Sequence, residues 1–246
     1  MKGLKYMNKV EKAIIMAAGK GKRMQPITNR VPKPLVKING ISMIETVIEA
    51  LHDNGIFEIY IVVGYLKEQF YILKEKYEGI RLIENPYYDQ CNNIASLYVA
   101  RNYLENAMIL DGDQVIYNSE ILSPYFEKSG YNSVWIEKET DEWLQQVKNH
   151  TVVSCSRTGG NNGWKLYSIS RWSKKDGMSL KKDLEYEFEL RKNRDIYWDD
   201  VVMFCHFDHY DLDVYPMKEE DVLEIDGLNE LISIDPSYGD LYEKTN

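Results

Sequence analysis

Between Ile14 and Gly40 the chain reads IIMAAGKGKRMQPITNRVPKPLVKING, an apolar run followed by Gly19, Gly21 and the basic residues Lys20, Lys22, Arg23, Arg30, Lys33 and Lys37. Glycines without a Cβ let backbone N–H groups approach a ligand closely, and a run of free N–H groups after a strand cradles an anion. Arg23 can grip a phosphate through two parallel hydrogen bonds, and Lys33 can act as a point charge. A triphosphate suits that chemistry. The loop is not a Walker loop, which needs Gly-Lys-Ser/Thr opening a helix, and it lacks the third glycine of the dinucleotide fingerprint. Pro26, Pro32 and Pro34 keep a helix from starting directly after the glycines. The competing reading is a flexible surface loop with scattered lysines. Further on, Asp111-Gly112-Asp113 follows an apolar run, and Asp226 stands in VLEIDGLNEL. Magnesium takes one or two carboxylates and completes its octahedron with phosphates and water. Alternate residues at a strand end point the same way, so either Asp111 or Asp113 could reach such an ion. Capping a helix or a turn is the alternative for Asp111 and Asp226.

These residues need elements to position them. Lys12–Ala18, Glu58–Gly64, Ile80–Glu84 and Ala107–Leu110 are short apolar runs that predict buried parallel strands. Ser42–Asn54, with Ile44, Val47, Ile48 and Leu51 at helical spacing, predicts a helix, as do Leu66–Tyr77 and Ile94–Tyr103. This alternation argues for an α/β fold: a Rossmann-like, mostly parallel sheet with helices on both faces. Ligands of such sheets bind beyond the carboxyl ends of the strands, where the glycine loop and the Asp111–Asp113 segment both fall. The second half predicts short strands at Ser133–Glu137, Leu144–Lys148, Thr151–Ser156 and Lys165–Arg171. A charged helix over Ser173–Asn193 and a strand near Asp213–Met217 follow. Residues 133–195 read as a small mixed α/β insertion or lid, in one domain over residues 1–246, because no Pro/Gly/Ser linker separates the halves.

Composition narrows the function. A formal net charge of −9 argues against a general nucleic-acid binder, yet permits a local basic pocket for a small anion. No apolar run reaches the length of a membrane span, and the first residues lack the apolar core of a secretory signal. Cys91, Cys155 and Cys205 are odd in number and show neither pairing nor metal spacing, so a cytoplasmic setting is expected. His206 and His209 lack carboxylate or Cys partners at ligand spacing and read as structural or exposed.

The residue order adds a resemblance. An apolar strand, AAGKGKRM and then PKPLVKING resembles the signature of the nucleotidyltransferases that join NTPs to sugar phosphates or alcohol phosphates, roughly A-A-G-x-G-[ST]-R-[LM] followed by P-K-x-[LM]. The resemblance implies the nucleotide-diphospho-sugar transferase type of fold. It implies that Ala17, Ala18, Gly19, Gly21 and Asp111 line the nucleotide, and that Arg23 holds the departing pyrophosphate. Lys33 would bridge the α-phosphate and the incoming phosphate, with Mg2+ on Asp113 and Asp226. Lys22 stands where the family has a small hydroxyl residue and would supply a charge instead.

Most of the chain from about Lys12, least of all between Thr151 and Asn193, is similar to one branch, the bacterial CTP:phosphocholine cytidylyltransferases of the LicC type. The matching residues are Val63–Phe70, Asn85, Asn92-Asn93, Ser96-Leu97-Tyr98, Asp141-Glu142-Trp143, Ile196–Asp199, Leu212–Pro216 and Leu223–Asp226. This implies CTP and phosphocholine as substrates, CDP-choline and pyrophosphate as products, and no nucleic-acid or membrane partner. Asn85, Asn92 and Ser96 would read the base, since an amide offers the donors and acceptors that a cytosine edge requires. Loop and N-cap work is the alternative for the asparagines. A quaternary ammonium cannot donate a hydrogen bond and is recognised by aromatic faces with carboxylates nearby. Trp143, Tyr197, Trp198 and Asp199 are the expected choline-binding residues, with Trp135 in reserve. Core packing is the ordinary fate of Trp and the alternative for each. Two other functions stay open: a nucleotidyltransferase for another acceptor, such as 2-aminoethylphosphonate, phosphoethanolamine or a sugar phosphate, and a non-catalytic nucleotide-sensing subunit.

Overall fold

The computed structural model describes residues 7–239. Its centre is Lys12–Ala17 (β1), in which only Lys12 escapes full burial. Such a run must be covered on both faces, as a central parallel strand is. Glu58–Val63 (β2) lies parallel on one side, with Ile15 opposite Ile61, and Ile80–Glu84 (β3) lies parallel beyond it. Ala107–Asp111 (β4) flanks the other side, with Ile15 opposite Leu110. Side chains alternate between faces with period two. Ala13, Ile15 and Ala17 enter a core with helices Met43–Asp53 (α1) and Tyr71–Lys76 (α2). Ile14, Met16 and Ala18 enter a second core with Ile94–Val99 (α3) and Lys174–Glu185 (α4).

Past β4 come a short strand, Gln114–Ile116 (β5), and then Gly130–Ile136 (β6), Leu144–Lys148 (β7), Thr151–Ser156 (β8) and Gly163–Trp172 (β9). The last four join the same sheet, whose order runs β8-β7-β9-β4-β1-β2-β3. β9 pairs antiparallel with β4, Ser170 opposite Ile109, and its other edge pairs with β6. β6 in turn lies parallel to Asp213–Pro216 (β10). The stretch expected as an insertion or lid is thus continuous with the central sheet. Pairing with β4 buries Ile169 and Trp172 completely.

Two helical expectations divide. Leu66–Tyr77 becomes a 3-10 turn at Lys67–Phe70 leading into α2. The charged stretch after Ser173 is α-helical to Glu185 and widens into a π turn over Tyr186–Leu190. Trp198–Asp200 (α5) is a single turn that also widens, over Val201–Cys205. Val222–Glu224 (β11) pairs antiparallel with β5, Glu224 opposite Gln114, and runs toward Leu228–Ile234 (α6). That small ribbon carries Asp226 to the end of the sheet where Asp113 lies. Among the described residues, no helix is long and apolar enough to cross a membrane.

Candidate active site

The glycine loop leaves β1 and folds back on itself. Gly21 has φ of +58°, and a Cβ there would stand 2.9 Å from Lys33 Cβ and 3.0 Å from Thr28 Cγ2. The Thr28 hydroxyl donates to the Gly21 carbonyl at 2.8 Å. The loop is therefore cross-braced, not a loose surface excursion. Gly19 differs, because a Cβ there would meet no protein atom within 4 Å. Its side of the backbone faces a cavity of about 320 Å3.

That cavity gathers most of the expected nucleotide residues: Ala17, Ala18, Gly19, Gly21, Lys22, Ser96 and Asp111. Arg23, Lys33, Asp113 and Asp226 complete it. Lys33 is only 9% exposed. Its Nζ donates to Asp113 Oδ2 at 2.6 Å and lies 3.7 Å from Asp226 Oδ1, while Arg23 Nη2 donates to the same Asp226 oxygen at 2.9 Å. Two cations and two carboxylates from distant parts of the chain thus converge. Burial, and after it the Asp113 carboxylate, push the Asp111 carboxyl well above the ordinary carboxylate range. Among the described residues, Asp113 Oδ1 and Asp226 Oδ2 accept no hydrogen bond, so each carboxylate keeps an oxygen available. Oxygen donors beside a phosphate-sized cavity fit a hard divalent cation such as Mg2+.

The two glycines make a paired prediction. Gly21→Ala destabilises the protein by about 1–2 kcal/mol, because alanine resists the left-handed conformation. Gly19→Ala leaves the thermal midpoint unchanged but raises the nucleotide KM about tenfold, the equivalent of one lost hydrogen bond to a charged group. Melting curves and nucleotide titrations of both variants check this. An equal loss of stability in both would remove Gly19 from the cavity wall.

Two asparagines are placed differently from their expected role. Asn85 is buried and spends its side chain on neighbours, donating to Ser96 Oγ at 3.1 Å and accepting from Tyr87 N at 2.9 Å. It braces Ser96 instead of lining the cavity. Asn92 donates to the Asp195 carbonyl at 3.1 Å and accepts from Asn93 N, tying two loops together outside the cavity wall. Asn93 is the one that lines the cavity, and its side-chain oxygen accepts from Trp198 N at 2.8 Å. A second, polar hollow of about 350 Å3 shares Gly21 and Lys22 and adds Tyr88, Asp89 and Gln90. The sequence reading missed these three; their only signal is position, directly after Asn85-Pro86.

The aromatic expectation needs one correction. Trp198 is fully buried, stacked on Tyr131 at 5.9 Å and edge-on to Trp172 at 6.0 Å, so no ring face is free for a cation. Being apolar on both faces, it serves the core between α5 and the sheet. Trp143 and Tyr197 do meet, ring planes perpendicular at 6.1 Å, and Phe204 joins Trp143 at 5.2 Å. The sequence reading passed over Phe204, since it belongs to an apolar run that reads as core. Trp135 is exposed and pairs instead with Trp164. Asp200 is held by Arg157 at 2.5 Å and caps α5 by accepting from Tyr197 N, so its charge is already matched. Asp199 is buried and unmatched. Its carboxyl faces the Tyr131 hydroxyl closely enough for each to perturb the other, yet Asp199 Oδ1 and Tyr131 Oη lack a well-aligned partner among the described residues. Burial pushes the Asp199 carboxyl up to about 7, against the opposing pull of that hydroxyl.

A larger, mostly apolar cavity of about 970 Å3 lies on the other side of the basic loop, against Ile27, Leu35 and Leu73. None of the converging charged residues lines it.

Known proteins resemble this chain in sequence and in fold. Residues 13–160 match the family described as the MobA-like NTP transferase domain. The chain is 36% identical to the 2-aminoethylphosphonate cytidylyltransferase of Lancefieldella rimae over 92% of each chain. It is 34% identical to the choline-phosphate cytidylyltransferase of Streptococcus pneumoniae over 89% of this chain and 94% of that one. The solved structure of the CTP:phosphocholine cytidylyltransferase LicC from S. pneumoniae superposes with a TM-score of 0.82 at 32% identity, covering 97% of this chain and all of the other.

Proposed function

The chain belongs to the MobA-like NTP transferase family and is a nucleotidyltransferase with the nucleotide-diphospho-sugar transferase fold; from that premise we propose that it transfers the cytidylyl group of CTP to phosphocholine, giving CDP-choline and pyrophosphate. The observation that carries the reaction is the convergence of Lys33, Arg23, Asp113 and Asp226 on one cavity beside the Gly19–Gly21 backbone.

An oxygen of the acceptor phosphate attacks the α-phosphorus in line, and the bond from that phosphorus to the β-phosphate's bridging oxygen breaks. A phosphate monoester has its second pKa near about 6, so the nucleophile is already an anion and needs no strong base. The work left to the protein is alignment and charge neutralisation. Lys33, buried and rigidly held, neutralises the reacting phosphates, and exposed Arg23 meets the departing pyrophosphate. Backbone N–H groups at Gly19 and Gly21 seat the triphosphate, and Lys22 adds charge at the rim. Asp113 and Asp226 would hold Mg2+, which when bound supplies further neutralisation of the phosphate oxygens.

The acceptor reading rests on the perpendicular Trp143–Tyr197 pair, whose faces suit a trimethylammonium group, whereas the Phe204 face is covered by the Arg157 guanidinium at 3.9 Å. Asn93 joins this side to the nucleotide cavity through its bond to Trp198 N. One observation favours a second acceptor. The L. rimae relative is named for 2-aminoethylphosphonate, whose ammonium donates hydrogen bonds where a trimethylammonium cannot.

The test is pyrophosphate release with Mg2+, crossing CTP, UTP, GTP and dTTP against phosphocholine, phosphoethanolamine, 2-aminoethylphosphonate and glucose 1-phosphate. Turnover confined to CTP with phosphocholine is the expected result. Turnover with the aminophosphonate alone removes the acceptor assignment from the aromatic corner and leaves the nucleotide site intact. Silence across the grid sinks the phosphocholine reading and leaves an untested acceptor or a non-catalytic subunit. Trp143→Ala should raise the phosphocholine KM by about 3- to 30-fold, the worth of one cation–π contact, with the CTP KM unchanged. Equal changes in both constants would exclude the corner as an acceptor site.

A further inference from the structure

His206 and His209 lie outside the site described above, and the fold brings them a carboxylate from a distant element. Asp183, near the end of α4, lies with His209 Nδ1 at 2.9 Å from its Oδ2 and 3.1 Å from its Oδ1. His206 Nδ1 lies 3.9 Å from Asp183 Oδ1, and the two imidazoles stack at 5.0 Å. We propose that Asp183, His206 and His209 form a binding site for a borderline divalent cation, zinc first, separate from the nucleotide site.

Three features argue for an ion over a plain hydrogen-bonded cluster. The separations of 3.1 and 3.9 Å between Asp183 Oδ1 and the two imidazole nitrogens bracket the edge of about 3.3 Å between ligand atoms of a tetrahedral zinc with bonds of about 2.0–2.1 Å. The outer partners are also in place. His206 Nε2 meets Glu187 Oε1 at 3.0 Å, and Glu187 is 1% exposed. As a donor to that carboxylate, Nε2 carries the proton and Nδ1 keeps its lone pair toward Asp183, the carboxylate–histidine–metal arrangement of zinc sites. The Tyr210 hydroxyl donates to Asp183 Oδ2 at 2.6 Å, which fixes that carboxylate and leaves Oδ1 to the ion. Finally, the donor set is selective. Two imidazoles and one carboxylate suit zinc and poorly suit magnesium, which prefers oxygen. A water completes the tetrahedron on the solvent side, where the His209 side chain is 47% exposed. The bound ion takes the place of the proton between His209 Nδ1 and Asp183. It fastens α4 to the segment that leaves α5, adding to the packing of Leu180 and Leu184 in the core that also holds Val201 and Val202.

The experiment uses the full chain without an affinity tag, stripped of metal. Co2+ is titrated while its visible absorption is followed, Zn2+ is then competed against it, and thermal midpoints are read with and without Zn2+. Four proteins are compared: wild type, His209→Ala, His206→Gln and Asp113→Asn. The expected result is one tight Zn2+ per chain in wild type and in Asp113→Asn, with tetrahedral Co2+ bands and a raised midpoint. Both histidine variants should lose about 100-fold in affinity and show no midpoint rise. His206→Gln keeps the shape of the site should His209→Ala disturb the turn. Unaltered zinc affinity in both histidine variants, loss of the site in Asp113→Asn instead, or no zinc bound by wild type at about 100 µM would each overturn the proposal.

Discussion

Lys33→Ala lowers turnover by about 10²- to 10³-fold, the usual cost of removing an electrostatic clamp from a reacting group. Three observations set that expectation. The ammonium is nearly sealed from water, so its field is weakly screened. It sits 2.6 Å from Asp113 and 3.7 Å from Asp226, so one side chain controls both carboxylates. Its Cβ also packs under Gly21, which fixes the stem as well as the charge. Alanine would leave Asp113 and Asp226 facing one another without that cation, and the cavity would repel a triphosphate. The loss should therefore appear in kcat and in nucleotide KM together. Arginine should not rescue it, since a planar fork cannot occupy the space of a compact ammonium. Steady-state kinetics with circular dichroism as a control for folding give the answer. Near-normal turnover in a folded Lys33→Ala protein would remove Lys33 from the mechanism.

The second large effect concerns stability. Asp199→Asn should gain on wild type by up to about 4 kcal/mol between about pH 4 and about pH 8. The sign follows from where each state binds its proton. In the unfolded chain the carboxyl releases its proton near the ordinary 3.8, whereas in the folded protein burial keeps it there until about 7. Across that window the unfolded state binds fewer protons, so wild-type stability falls as pH rises. Asparagine has the same shape and no charge to expose, so its curve lacks this slope. Subtracting the two curves cancels the titrating groups that do not feel the Asp199 charge, Asp111 being one that does. Urea denaturation of both proteins across the pH range measures the gap. A gap that stays constant with pH would mean that Asp199 ionises as an ordinary carboxylate, with a partner other than Tyr131.

Local signals carried much of this protein. Four apolar runs between helical patterns specify a parallel sheet, because a strand buried on both faces must be apolar throughout. The first half follows that reading closely: β1, β2, β3 and α1 stand within a residue or so of their expected bounds. The shape of the glycine loop was legible too, since its glycines and prolines act through their own backbone, and Gly21 takes the left-handed φ that glycine favours. What required the folded chain were contacts between segments far apart in sequence. Asp226 reaches Lys33 and Asp113 only because β11 pairs with β5 in one register. Which of Asn85, Asn92 and Asn93 faces the cavity depends on helix phase at the start of α3, and residue type says nothing of phase. Trp143 and Trp198 look alike in the sequence, yet packing sends one to the corner with Tyr197 and Phe204 and the other into the core against Tyr131. Asp183 meets His206 and His209 because α4 and the segment after α5 pack side by side. Hydrophobic period and turn chemistry fix elements one at a time; the partners of a side chain are fixed by register and packing, which exist only once those elements have come together.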